Sequence, residues 1–346
     1  MTFEKTMAHL IPQIDAELRE ITQTPHHRLG PYYGMIHYHL GWTDEELNPT
    51  RPSSGKRLRP LLCLLSHQAV GGRPADALPA ACAIELIHNF SLVHDDIQDG
   101  SQTRRGRRAV WDIWGMDQGI NVGDGLFALA HLALHRLSER GLSPNRQLAA
   151  SFSLNRACLA LCEGQYFDMA FEGLLDVEMD QYLWMIRCKT AALLAAAAET
   201  GVSLATNDAR MRERFFHFGE HLGLAFQIQD DVLGAWGDEQ ITGKSAASDI
   251  RDRKKTLPVV YALNQSENRQ AARRLAELYS RQAPMDEATI QMVLEILQEV
   301  GARQQAEKLA RNYYHLALQN LEETGLDPTA LSTLRTLASS LLGRRS

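Results

Sequence analysis

ELIHNFSLVHDDIQDGSQTRR, residues Glu85 to Arg105, is the stretch on which the reading of this chain turns. Its first half carries Leu86, Ile87, Phe90, Leu92, Val93 and Ile97, with no Gly or Pro before Gly100, which predicts a helix. At about 100° per residue, His88, Asp95 and Asp99 fall within about 40° of one another, and Asp96 stands about 100° round from Asp95. Three carboxylates therefore line the C-terminal end of one helix. Gly100 then lets the chain turn ahead of the Arg104-Arg105 pair. Carboxylates so close repel unless positive charge lies between them. A solvated helix face holds them in water, and that is the default reading of an isolated DDxxD. The apolar flanks instead predict a largely buried helix, where carboxylates need a partner. Mg2+ suits them, because it takes oxygen ligands, keeps several waters and uses one or two carboxylates together with phosphate oxygens. The arginines would then suit phosphate. On this motif alone the two readings stand level.

The bulk numbers bound the answer. The 346 residues are 45% hydrophobic and 23% charged, as expected for an ordinary globular protein. A net charge of −6 argues against nucleic acid or anionic membrane as main partner. No apolar run approaches the roughly 20 residues of a membrane span. The N-terminus, MTFEKTMAHLIPQIDAELRE, has neither a basic n-region nor an apolar h-region. Cys63, Cys82, Cys158, Cys162 and Cys188 sit in apolar helical segments, and the odd count disfavours a disulfide framework. Five buried free thiols and a cytoplasmic location are expected.

Along the chain the pattern is helical throughout. An amphipathic helix over residues 1–22 contains Pro12, an expected kink. Four histidines between His26 and His39 fit no common metal spacing, and a packed aromatic helix end is expected there. A Pro/Ser/Gly break over 48–55 delivers GKRLRP, with Lys56, Arg57 and Arg59 at the mouth of an apolar run; by themselves these favour a solvated cap over an anion site. Residues 106–125 are punctuated by glycine and lead into a helix from Leu126. Further helices are expected over 147–173, from about 176 through Lys189-Thr190 and AALLAAAA, and over 209–233, followed by hairpins near 256–281 and 286–324. No strand alternation and no low-complexity linker is present. The expectation is an all-α fold, a single domain over residues 1–346.

A second carboxylate pair, Asp230-Asp231, again ends an apolar helix, with Gln227 one turn earlier and Lys244 in the charged loop beyond. Helix C-termini carry partial negative charge, so aspartates there are unfavourable without a counter-ion. Two such clusters are hard to explain as solvated faces. Facing each other, they would form a cage for metal ions clamped on a phosphorylated ligand.

These residues resemble the trans-isoprenyl diphosphate synthases, the polyprenyl synthetase family. The matching pieces are GKRLRP (55–60), ELIHNFSLVHDDIQDGSQTRRG (85–106), GD (123–124), KT (189–190) and FQIQDDVLGAWGDEQITGKSAASDIRDRKKTLP (226–258), in the family's order and spacing over most of the chain.

The resemblance implies a bundle of long helices around a central apolar cavity and Mg2+-dependent head-to-tail condensation of isopentenyl diphosphate with an allylic diphosphate. It implies three Mg2+ per site, with Mn2+ able to substitute. Asp95, Asp96 and Asp99 would bind metal on the allylic diphosphate, which Arg104 also holds, while Asp230 and Asp231 form the second metal motif. Lys56, Arg59, His88 and Arg105 match the isopentenyl diphosphate site. Lys189, Thr190, Gln227 and Lys244 match residues around the departing diphosphate and the growing cation. Phe90 and Ser91, five and four positions before Asp95, give the pattern of geranylgeranyl (C20) synthases; an ideal helix turns Phe90 about 140° from Asp95, so this rests on the resemblance. The family also implies a homodimer, with helices near 110–140 and 150–170 as contact surfaces. One departure is Gly234, where many members carry a third aspartate; Asp238 further along is expected to compensate in part.

Two rivals share features with this reading. A terpene cyclase has the helical fold and an aspartate motif but no need of Lys56, Arg59, His88 and Arg105. A regulatory subunit tends to lose the aspartates, and this chain keeps both sets. Farnesyl or longer-chain synthesis stays open as an alternative product.

Overall fold

The computed structural model describes residues 3–50, 57–237, 247–281 and 283–342. They form sixteen described α-helices. The first ten are α1 (Phe3–Ile21), α2 (Gly30–His39), α3 (Leu58–Ala69), α4 (Pro74–Gln98), α5 (Val110–Trp114), α6 (Met116–His135), α7 (Pro144–Glu172), α8 (Met179–Ile186), α9 (Ala192–Ala205) and α10 (Ala209–Trp236). The rest are α11 (Ser248–Arg251), α12 (Leu257–Leu263), α13 (Arg269–Tyr279), α14 (Glu287–Glu299), α15 (Ala302–Glu322) and α16 (Pro328–Leu342). The all-α expectation holds, and α1 runs on through Pro12. The only strands among the described residues are Thr103–Arg104 and Arg107–Arg108, paired antiparallel.

Two compact units are distinguished: Met1–Asn155 with Ala196–Glu213 and Leu326–Leu334, and Arg156–Ala195 with Arg214–Gly325 and Arg335–Ser346. In the first unit α4 packs against α3 and α6, with Ala80, Ala81, Cys82, Ala83, Leu86 and Ile87 excluded from solvent. Pro74 opens it, where a missing N–H costs nothing. Its C-terminus closes as a Schellman motif. Gly100 takes φ +63°, the Gly100 N–H donates to Ile97 O at 3.3 Å, and the Ser101 N–H donates to Asp96 O at 2.8 Å. Arg105 and Gly106 then take φ +55° and +73°, the two positive angles that a two-residue hairpin turn demands.

The glycine-punctuated stretch behaves differently from expectation. Residues 116–125 are the first half of α6, not a lead-in loop. A Cβ at Gly123 would collide with the His94 ring of α4, and one at Gly125 with the Tyr32 hydroxyl of α2. These glycines let helices approach rather than break one. In the second unit the small residues of 191–195 do the same: a Cβ at Gly219 would lie 2.5 Å from Leu194 O, and one at Gly223 2.5 Å from Ala191 Cα. One thiol corrects the sequence reading, because Cys162 is exposed whereas Cys63, Cys82, Cys158 and Cys188 are buried.

Arg57 is 2% exposed, donating from Nε to Asp15 Oδ1 at 3.0 Å and from Nη1 to Glu85 Oε1 at 2.8 Å. It therefore ties α1 to α4 from the start of α3 and is spent inside the protein. Removing one partner of a buried ion pair strands the other charge, at a cost of about 3–5 kcal/mol. Arg57→Ala is expected to lose stability of that order in urea unfolding. A loss below about 1 kcal/mol, the range of a surface pair, would contradict this role.

Candidate active site

In the first unit the three aspartates at the end of α4 are not equivalent. Asp96 is 1% exposed, and Arg104 donates to its Oδ1 from Nε at 2.8 Å and from Nη2 at 2.5 Å. Burial raises the Asp96 pKa above the usual carboxylate range, and the Arg104 hydrogen bonds oppose that rise. Its Oδ2 is buried without a hydrogen-bond partner. Asp95 is half-buried and Asp99 exposed, one helical turn apart. The hairpin that carries Arg104 thus folds back onto Asp96 and leaves the Asp95–Asp99 pair toward solvent.

The cations nearby are grouped around two histidines. Arg59 Nη1 donates to His88 Nε2 at 3.1 Å, which places the His88 proton on Nδ1, since guanidinium only donates. Burial and then the Arg59 and Arg105 charges push His88 well below its ordinary value. His39 is lowered to about 3, first by burial and then by Arg105 and Arg104. A cleft of about 370 Å³ is lined by Tyr38, His39, Arg104, Arg105, Arg107 and Arg108 together with Gly41, Ala109 and Val110. His39, whose pKa is depressed, and the four arginines lining this cleft mark a strongly electropositive pocket, suited to an anion. His39 was missed by spacing arguments, because its environment comes from the distant 104–108 hairpin.

The second unit gathers Lys189, Thr190, Gln227, Asp230 and Asp231 around a cleft of about 570 Å³. Asp168, Tyr182, Asp249, Lys254 and Lys255 also line it. Lys189 and Thr190 lie in a π-helical turn, Arg187–Ala191, between α8 and α9. Such turns widen the backbone and recur at functional sites. Gly164 of α7 fits against this turn, where a Cβ would strike the Lys189 backbone nitrogen. Lys189 is ion-paired with Asp168. Asp231 is 4% exposed, and its carboxylate accepts from Tyr182 Oη, from Leu257 N at 2.8 Å and from Gln227 Nε2 at 3.0 Å. Burial pushes its pKa up to about 7 against the lowering effect of those donors. Lys56, Lys244 and Asp238 lie outside the described residues.

Comparison with known proteins decides the family. Residues 42–297 match the polyprenyl synthetase family model. The chain belongs to the polyprenyl synthetase family. It is 38% identical over 325 residues to a (2E,6E)-farnesyl diphosphate synthase of Mycobacterium tuberculosis, covering 92% of this chain and 88% of that one. It is also 38% identical over 302 residues to a geranylgeranyl diphosphate synthase of the same organism, covering 87% and 85%. A crystal structure of polyprenyl synthetase from Streptomyces coelicolor superposes with a TM-score of 0.87 at 35% identity, over 98% and 97% of the two chains. A geranylgeranyl pyrophosphate synthetase from Pyrococcus horikoshii gives 0.87 at 32%, over 99% and 98%. The chain is a prenyltransferase, a short-chain trans-prenyl diphosphate synthase. No helix among the described residues is long and apolar enough to cross a membrane.

A polyprenyl synthetase implies a divalent metal, and the donors fit one. The accessible groups are carboxylates, the hard oxygen ligands that Mg2+ takes, and the buried Asp96 Oδ2 has coordination capacity left. Among the described residues no three His, Cys, Asp or Glu side chains converge to hold a metal unaided.

Gly234 receives its explanation here. A Cβ at 234 would overlap the Asp249 carboxylate, so a side chain there and Asp249 in its present position exclude each other. Among the described residues the carboxylate beside position 234 is that of Asp249. Restoring the family's aspartate should harm the site: Gly234→Asp is expected to displace Asp249 and lower kcat about tenfold or more, on the scale of a 1 Å misplacement. Equal or higher kcat in steady-state assays would contradict it.

Proposed function

We propose that this chain joins isopentenyl diphosphate to an allylic diphosphate, head to tail, and that its main product is geranylgeranyl diphosphate. The observation that carries the reading is the pairing, within one polyprenyl synthetase chain, of accessible carboxylates with a cationic pocket in one unit and a cation-orienting cleft in the other. Asp95, Asp99 and Asp230 would hold Mg2+, which supplies positive charge to the diphosphate leaving group when bound. Arg104 and Lys189, each held beside a carboxylate within its own unit, match the family's residues for the allylic diphosphate and its departure. Arg59, His88 and Arg105, with Lys56, hold the isopentenyl diphosphate. The allylic C–O bond breaks, the isopentenyl double bond attacks the allylic carbon, and a proton leaves the new cation for the released diphosphate. Thr190 and Gln227 present oxygen lone pairs that stabilise a cation without reacting with it.

Support for the C20 product comes from α4. Phe90 is packed edge-on against His94 and against Phe127 of α6, with ring centroids 4.9 and 5.4 Å apart. Ser91 is tied back, donating to His88 O at 2.9 Å. An aromatic pair of this kind would stop a growing chain, and Phe90→Ala would let it run on. The farnesyl diphosphate synthase relative makes C15 the competing outcome. Purified protein given labelled isopentenyl diphosphate with dimethylallyl, geranyl or farnesyl diphosphate should form a C20 alcohol after dephosphorylation, only with Mg2+ or Mn2+. Phe90→Ala should shift the product longer by at least one isoprene unit. A C15 limit would overturn the chain-length assignment, and absence of condensation with every primer would overturn the reaction.

The chain is further proposed to be one polyprenyl synthetase domain over residues 1–346, active as a homodimer in the cytoplasm. Five free cysteines support a reducing compartment. Exposed apolar side chains on α6 and α7, among them Leu132, Leu148, Phe152 and Leu159, support a buried partner surface; Leu148 is 71% exposed. Light scattering should give twice the chain mass, and Phe152→Glu with Leu159→Glu should halve it. A monomer mass for the wild type would contradict the dimer.

A further inference from the structure

The cleft of the second unit contains a hydrogen-bond chain with one direction. Thr190 Oγ1 donates to Gln227 Oε1 at 2.7 Å, and Gln227 Nε2 donates to Asp231 Oδ1 at 3.0 Å. Asp231 Oδ2 accepts from the Tyr182 hydroxyl and from Leu257 N at 2.8 Å. Tyr182 is 1% exposed. Asp231 accepts at both oxygens, from Leu257 N–H at Oδ2 and from Gln227 Nε2 at Oδ1, and this sets which end of the Gln227 amide faces it. The amide nitrogen must point to Asp231, and the carbonyl oxygen then takes the Thr190 hydroxyl proton. The Thr190 hydroxyl hydrogen and one Gln227 N–H thus run toward Asp231. Thr190 Oγ1 and Gln227 Oε1 keep lone pairs, and the amide nitrogen lies on the Asp231 side.

We propose that Tyr182 is a positioning residue for this reaction: by fixing Asp231 it holds the Gln227 amide nitrogen on the Asp231 side, so that the lone pairs of Gln227 Oε1 and Thr190 Oγ1 are kept for the cleft. Asp231 is correspondingly a director of dipoles, its two oxygens engaged by three protein donors. The inference rests on the proposed condensation, whose intermediate is a cation. An N–H dipole turned toward that cation would raise its energy, whereas a lone pair lowers it. Tyr182 differs in this from Asp168, which lines the same cleft and is ion-paired with Lys189.

Tyr182→Phe removes one hydroxyl and keeps the ring. It is expected to lower kcat about tenfold, the scale of one buried hydrogen bond, with KM for both diphosphates and Mn2+ affinity in inorganic diphosphate unchanged within about twofold. Asp231→Asn, whose amide can donate, should invert Gln227 and cost about a hundredfold in kcat, again without loss of Mn2+ affinity. The readout independent of turnover is the Gln227 side-chain amide resonance in 15N NMR. It should sit at a carboxylate-bonded position in the wild type and move in both variants. Unchanged kcat and an unmoved resonance in Tyr182→Phe would overturn the proposal, as would parallel loss of Mn2+ affinity in Asp231→Asn. Absence of turnover in the wild type would count against the condensation alone, because the resonance still reports whether Tyr182 and Asp231 orient Gln227.

Discussion

Negative charge at the C-terminal ends of two largely buried helices is the constraint on which the rest of this structure depends. Helix dipoles disfavour it, desolvation disfavours it, and neighbouring carboxylates disfavour it further. The fold answers differently at each position. Asp96 receives the Arg104 guanidinium from a hairpin whose turn needs two positive φ angles. Asp231 receives three hydrogen bonds from neutral donors. Asp95 and Asp99 keep access to water. The same α4 that ends in these aspartates is anchored nearer its middle by the buried Arg57–Glu85 pair.

This division sorts groups that share a motif into different tasks. Side chains engaged inside the protein hold others in place, and the more accessible ones are those proposed to meet the ligand. Arg57 and Arg59 stand two residues apart, yet one is locked between Asp15 and Glu85 and the other faces His88. In the second unit the π-helical turn, Gly164 and the Lys189–Asp168 pair form one assembly, and Gly234 with Asp249 another. Glycine at these places is a matter of clearance: the opposing backbone or carboxylate occupies the volume of the missing Cβ.

Much of this was legible from the residues. The apolar period around Asp95 and Asp230 gave the helices, and the motifs around the two aspartate clusters gave the family, because periodicity and motif spacing are local properties. What was not legible depends on chain segments far apart in sequence. The inequivalence of Asp95 and Asp96 follows from where residues 103–108 fold back. His39 looked like an ordinary packed histidine, since the arginines that depress it lie about 65 residues on. Residues 116–125 looked like a loop because Gly119, Gly123 and Gly125 weaken a helix in isolation; tertiary contacts with α2 and α4 override that preference. Asp249 could not be matched to Gly234 from spacing, because fifteen positions separate them.

The central claim is that accessible aspartates of both motifs take up divalent metal together with diphosphate. Mn2+ binding followed by electron paramagnetic resonance, with inorganic diphosphate present or absent, tests it most directly. The account predicts weak binding alone and a marked gain with diphosphate, a gain that Asp95→Asn and Asp230→Asn each reduce. Tight binding without diphosphate, or a gain that survives both substitutions, would contradict it.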